Sequence, residues 1–216
     1  MRFGLLCVCL LGCGHIGFDS LGTGPGNDAI ADAPDDSAPA CTAFGPWSAP
    51  VHDPILSSPS QDWGPTLSHD GLTLVFASDR NNVGGGDDLF RATRATTTSA
   101  WSTPTFISEI NPGAKPDDPS LSADGLDLYW GNPTVSMAHR PNTATTFSIV
   151  GSVLTNTAAI NVIGGPDISP DGLTLLFTAI TTSDGNPHMF EAHRSAIGDA
   201  WGPFEMPAGL AQTDGE

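Results

Sequence analysis

The chain has 216 residues, 39% hydrophobic and 14% charged, with 25 glycines and 19 prolines. That length suits one domain of moderate size or several small repeated units, and the excess of turn formers over charged surface residues disfavours long helices. With 24 acidic against 7 basic residues the formal charge is −17, which repels a nucleic-acid backbone; nucleic acid is not an expected partner, while cations and basic protein patches stay open.

The chain opens MRFGLLCVCLLGCG: one positive charge at Arg2, an apolar run from Phe3 to Leu11, then small residues. A bilayer span needs about 20 apolar residues, so the run predicts a signal peptide and not a membrane helix. Leu10-Leu11-Gly12-Cys13 resembles the bacterial lipobox. The resemblance implies a lipoprotein signal peptide over residues 1–12 and a diacylated Cys13 as the membrane anchor. Gly14 stands where an aspartate would resemble an inner-membrane retention signal, so the implied address is the outer membrane of the bacterial cell envelope, on its periplasmic or its surface face. Removal of residues 1–12 leaves Cys13 and Cys41; with Cys13 acylated no disulfide framework forms within the chain, and Cys41 is either a free thiol or a partner between chains. Residues 13–43 hold five aspartates, no Lys or Arg, and repeated Gly, Pro, Ala and Ser. Such a segment buries too little to offset the entropy of ordering it and predicts a disordered tether.

From residue 44 onward one pattern recurs. DWGPTLSHDGLTLVFASDR, DDPSLSADGLDLYWGN and GGPDISPDGLTLLFTAI share Pro, one residue, an aliphatic, Ser, any residue, then Asp-Gly-Leu. Each is followed by a second block, LFRATRATTTSAWSTP, SMAHRPNTATTFSIV and MFEAHRSAIGDAWGPF, in which Arg94 to Trp101, Arg140 to Phe147 and Arg194 to Trp201 are all seven apart. From aromatic to the next turn glycine the counts are 24, 24 and 25, whereas from turn glycine to arginine they are 23, 15 and 22. Nearly all length variation therefore falls in one exposed loop.

After each Asp-Gly a period-two strand is predicted: Leu72, Leu74 and Phe76; Leu126, Leu128 and Trp130; Leu173, Leu175 and Phe177. Val75, Tyr129 and Leu176 make the opposite face apolar too, which suits a sheet covered on both sides. Asp-Gly supplies the positive φ of a tight hairpin. Units of 47 to 54 residues with about four strands each describe propeller blades. PSLSADGLDLYW and PTLSHDGLTLVFASDR resemble the WD-like beta-propeller repeats of TolB-type proteins. The expected fold is all-β: three complete four-stranded blades at about 62–107, 116–154 and 164–207, within a domain over residues 44–216, plus a partial outer strand around Trp47. A closed propeller has roughly four to eight blades. Three readings follow: a truncated chain, a homodimer that completes one ring, or open ends capped in some other way.

PTLSHDGLTLVF sets Ser68, His69 and Asp70 side by side, the residue types of a hydrolytic triad. In the other copies His69 becomes Ala123 and Pro170, so the shared residues are read as turn structure: Ser68, Asp70 and Gly71; Ser122, Asp124 and Gly125; Ser169, Asp171 and Gly172. His139-Arg140 and His193-Arg194 hold equivalent positions, which predicts a structural arginine bonding a turn carboxylate or carbonyl. A zinc site from His139 and His193 is not expected, since the two sit on different blades and no thiolate lies near either. Gly84-Gly85-Gly86 lacks the lysine and helix of a phosphate loop.

The loop from Asp79 to Asp88 has oxygen ligands suited to calcium, but Val83 and the missing terminal glutamate depart from a calcium loop. In propeller topology Asp79, Asp87, Asp88, Asp117 and Asp118 would gather at one rim, the expected ligand or cation surface. No cofactor is expected. The expected function is a non-catalytic, lipid-anchored envelope protein whose repeats bind or scaffold an envelope protein partner. Two competing readings are a hydrolase resembling sialidase propellers, whose Ser-x-Asp-x-Gly box Ser68-His69-Asp70-Gly71 partly matches, and a remnant without independent function. Against the hydrolase, Arg94, Arg140 and Arg194 sit at repeat positions and form no evident carboxylate clamp.

Overall fold

Each Ser-x-Asp-Gly turn joins two antiparallel strands, and every further strand follows from the alternation that the turn sets up. A computed structural model describes residues 48–81, 87–111, 115–131 and 133–207. The predicted signal peptide, the Cys13 anchor, the tether, Cys41, the strand around Trp47 and Gly84-Gly85-Gly86 lie outside the described residues. Of the unit Met1–Val51, residues 48–51 are described and carry no regular secondary structure. Among the described residues, all the strands fall in the unit His52–Glu216.

Strands β1 (Asp62–Leu67), β2 (Thr73–Ser78), β3 (Asp88–Thr93) and β4 (Thr105–Phe106) form the first sheet, in that order. The second sheet runs β5 (Asp117–Leu121), β6 (Asp127–Gly131), β7 (Val135–His139) and β8 (Ser148–Leu154). The third is β9 (Ile160–Ile168), β10 (Thr174–Thr181) and β11 (Pro187–His193). All pairings are antiparallel. The protein is all-β, with no helix among the described residues.

The sheets pack in chain order through two seams. Val75, Ala77 and Leu89 of the first sheet share a core with Leu121, Leu128, Trp130 and Ala138 of the second. Tyr129, Val135 and Leu154 of the second share another with Ile168, Leu175, Phe177 and Phe190 of the third. β6 thus sends Leu128 and Trp130 to one side and Tyr129 to the other, and each such buried apolar side chain contributes roughly 1.5–3 kcal/mol. At the second seam the backbones touch: a Cβ on Gly131 would stand 2.8 Å from the Gly164 Cα.

The outer face of the first sheet carries a smaller cluster, Leu74, Phe76 and Phe90, covered in part by Leu56 and Trp101. Arg80 caps it, with its guanidinium 4.9 Å and 5.0 Å from the rings of Phe76 and Phe90 and 2.6 Å from the Asp62 carboxylate.

Two expectations need correction. The third sheet has three strands, not four; where an outer strand was expected there is a single bridge, Glu191 to Glu205. Pro203 and Pro207 flank Glu205 and have no N–H to continue a ladder. The third sheet is also not buried on both faces: Leu176 is half-buried, and Thr178 and Met189 are exposed. Among the described residues no further sheet covers them.

Candidate functional site

The three turns have one geometry. Ser68, Ser122 and Ser169 each donate Oγ–H to the aspartate two residues on, at 2.6 Å. The same aspartate oxygen accepts the N–H of Leu72, Leu126 or Leu173 at 2.9–3.0 Å. The serine oxygen accepts the N–H of Thr73, Asp127 or Thr174 at 2.9 Å. Gly71, Gly125 and Gly172 have φ of 69°, 70° and 71° and donate back to the serine carbonyl, closing a β-turn whose last residue is left-handed.

This geometry disposes of the hydrolytic relay in the first turn. A base must lie between nucleophile and acid, yet Ser68 bonds Asp70 directly and His69 is exposed at the tip. The Ser68 hydroxyl, and next the Leu72 N–H, hold the Asp70 carboxyl below its ordinary value; Ser169 and Leu173 do the same for Asp171.

The seven-residue spacing is an arginine lock. Arg94, Arg140 and Arg194 donate Nε–H to the carbonyls of Gly71, Gly125 and Gly172 at 2.8, 2.8 and 2.7 Å. Each guanidinium then lies over the aromatic seven residues on, 4.3 Å from the Trp101 ring, 4.5 Å from Phe147 and 4.6 Å from Trp201. Arg140 is the most buried, at 1% exposure, and burial pulls its pKa down. The histidines before these arginines have different partners: His139 Nδ1 lies 2.7 Å from Asp127, and His193 Nδ1 lies 3.1 Å from the Thr174 hydroxyl.

The acidic rim is only partly assembled. Burial, then the charges of Asp117 and Asp79, push the Asp87 carboxyl up, with Lys115 opposing. Asp118 is raised by burial and by Asp117. Asp117 accepts the Trp63 Nε1–H at 2.6 Å and Asp79 accepts the Gln61 N–H at 2.8 Å, so both are committed to structure. Asp88 is 3% exposed, and strand alternation puts it on the Phe90 face of β3, away from the Leu89 face that meets the second sheet. Its Oδ2 has no hydrogen-bond partner among the described residues, and burial followed by Asp87 raises its pKa.

A feature that the repeat pattern did not reveal is a cavity of about 680 Å³ at the outer end of the second seam. Asp127, Met137, His139, Val150, Arg194 and Trp201 are among its walls. Asp127 and His139 face each other there as an acid–imidazole pair, the Asp127 side chain being 10% exposed. Tyr129 packs edge-on against Trp201, and burial pushes its phenol up to about 12 while Arg194 works the other way. At the first seam the residue equivalent to Met137 is Arg91, and Glu109 accepts the Phe147 N–H at 3.2 Å. The signal available in sequence was the loss of that arginine in the second repeat.

No protein-family model matches the chain, and no curated protein matches it. Among solved structures, one from "Structural and Mechanistic Analysis of Two Prolyl Endopeptidases: Role of Inter-Domain Dynamics in Catalysis and Specificity" is similar at 15% identity and a TM-score of 0.41. The match covers 67% of this chain and 21% of that one. A likeness of this degree carries no argument about chemistry.

Proposed function

We propose that the chain is a non-catalytic binding or scaffolding module of the bacterial cell envelope, anchored through Cys13 to the outer membrane and built from WD-like propeller blades of the TolB type. The observation that carries this reading is a division of labour: the Ser, Asp and Arg of every repeat are bonded within their own turn, while the cavity beside Asp127 and His139 belongs to one seam. Its apolar wall of Met137, Val150 and Trp201 with the Asp199 carboxylate, Asp127 being held by His139 and the Arg194 guanidinium lying over Trp201, suits a partner side chain with an apolar stem and a basic head that meets Asp199. The strongly negative chain would also draw a basic partner towards it.

Two measurements test the proposal. A photo-crosslinking residue at Val150, which is 62% exposed on the cavity wall, should capture an envelope protein in intact cells, and Ala200→Trp at the same wall should abolish the capture. Labelling with a palmitate analogue should mark wild type and not Cys13→Ala. Turnover in a broad glycosidase and esterase panel, lost on Asp127→Asn, would overturn the non-catalytic reading; absence of label on both proteins would overturn the anchor.

A further inference from the structure

We propose that Glu191, His193 and Glu205 form a binding site for a divalent transition-metal ion of the zinc class. One donor atom from each lies within 4.8 Å of the others, and His193 Nε2 stands 3.6 Å from Glu191 Oε1. Two donors about 2.1 Å from a tetrahedral ion lie roughly 3.4 Å apart, so this pair is already near a shared coordination shell.

The backbone explains why the three converge. Glu191 and His193 are two residues apart on β11 and project from the same face. Glu205 is directly opposite Glu191: each donates its N–H to the other's carbonyl, at 2.8 and 2.9 Å. Two residues of one strand and one cross-strand neighbour are the closest three-point set a sheet offers, and long side chains on it can meet at one ion.

Three further observations point to a cation. Like charges directly opposite on a sheet repel, so the Glu191–Glu205 pair is held together at a cost that a bound cation removes. Thr174 pairs with His193 across β10 and β11, and its hydroxyl lies 3.1 Å from His193 Nδ1. An Nδ1–H donated to that hydroxyl fixes the ring and leaves the Nε2 lone pair towards the carboxylates, the arrangement that orients histidine ligands in metal sites. The set also breaks the repeat: the equivalent positions are Arg91, Thr93 and Thr105 in the first sheet and Met137, His139 and Gly151 in the second.

One imidazole with two carboxylates suits zinc, cobalt, nickel or manganese better than calcium, which takes six to eight oxygen ligands. Three protein ligands leave a position for water or a donor from another molecule.

The test is calorimetric titration of the full chain, its thiols alkylated, with Zn²⁺ alone and Ca²⁺ as comparison. One Zn²⁺ per chain is expected, with affinity weakened at least about tenfold by His193→Gln, Glu205→Gln and Thr174→Val. His188→Gln, which alters a separate histidine–aspartate pair, should titrate like wild type. No binding at about a hundredfold excess of Zn²⁺, or unchanged affinity in both His193→Gln and Glu205→Gln, overturns the site. Far-ultraviolet circular dichroism of each variant without metal should match wild type, so that loss of affinity reports the ligand and not the fold.

Discussion

The two seams between the sheets are made from the same repeat, yet they differ in how they are filled. At the first, Arg140 lies beneath Phe147, and Glu109 is bonded to the Phe147 N–H. At the second, Arg194 and Trp201 repeat the lock, but Met137 replaces Arg91 and a cavity of about 680 Å³ lies beside the Asp127–His139 pair. Repetition sets the spacing of the sheets; at the second seam Met137 in place of Arg91 lies at the cavity wall and leaves the lock undisturbed.

The comparison breaks most severely where the lock is most buried. Arg140→Ala removes charged hydrogen bonds to the carbonyls of Gly125 and Thr143, at 2.8 and 3.1 Å, and the contact with Phe147. A loss of about 4 kcal/mol is expected, read as a lowered urea midpoint, whereas Arg94→Ala at the half-buried first lock should cost about half as much. If the two cost the same, burial does not set the strength of the lock.

Gly131→Val tests the backbone contact of the second seam, where the first sheet has Ala77 at the equivalent position. Its Cβ would run into the Gly164 Cα, and overpacking against backbone costs about 2–3 kcal/mol. Opening of this seam should lower the urea midpoint and quench or shift the fluorescence of Trp201 more than that of Trp101, which single-tryptophan variants can separate.

Ser122→Ala leaves the Asp127 N–H without its acceptor at 2.9 Å and Asp124 without its donor at 2.6 Å. About 1–2 kcal/mol should be lost. Ser68→Ala and Ser169→Ala should follow the same trend in proportion to burial, by thermal or urea unfolding.

The pH response sets the turns against the rim. Hydrogen bonds lower Asp70 and Asp171, and bonds from Arg80, Ser78 and Ser58 outweigh burial at Asp62. The stability these three contribute is present above the unfolded carboxylate value of about 3.9 and is lost as pH falls through their lower folded values. Asp87, Asp88 and Asp118 are raised, chiefly by burial. Their contribution has the opposite sign: it favours the fold at low pH and is lost as pH rises from about 3.9 through their folded values. Unfolding free energy should therefore fall on both sides of a maximum on the acid side of neutrality, and Asp88→Asn should flatten the limb above it.

The smallest effect on stability comes from Met137→Arg, which gives the second seam the residue type of the first. Stability should change by no more than about 0.5 kcal/mol, while crosslinking from Val150 is lost; retained crosslinking would mean that the cavity is not the partner's seat.

The strands were legible because Leu74, Phe76, Leu128, Trp130, Leu175 and Phe177 recur at period two behind Asp-Gly, and covalent geometry fixes which of them share a face. The structural reading of Ser68, Asp70 and Gly71 came from the repeat, in which His69 gives way to Ala123 and Pro170; the structure adds the bond from the Ser68 hydroxyl to Asp70 within the turn. The acidic rim was less legible: proximity of Asp87 to Asp117 followed from topology, but Asp88 turned to the other face because successive strand residues alternate. The third block lacks the fourth strand that its aromatic spacing predicts. The aromatic spacing survives there as a cation–π contact on Trp201, while Pro203 and Pro207 leave Glu205 as a single bridge.

By itself the sequence determined the all-β class, the number of repeats, the turn chemistry and the strand faces, because all of these are set within a few residues by sterics, hydrogen bonding and period. Only the tertiary structure decided which residues meet across a strand or a seam. The juxtaposition of Glu191, His193 and Glu205 and the cavity beside Asp127 and His139 depend on register and on what a neighbouring side chain fails to fill, and a gap between packed sheets leaves no local mark on the chain that encloses it.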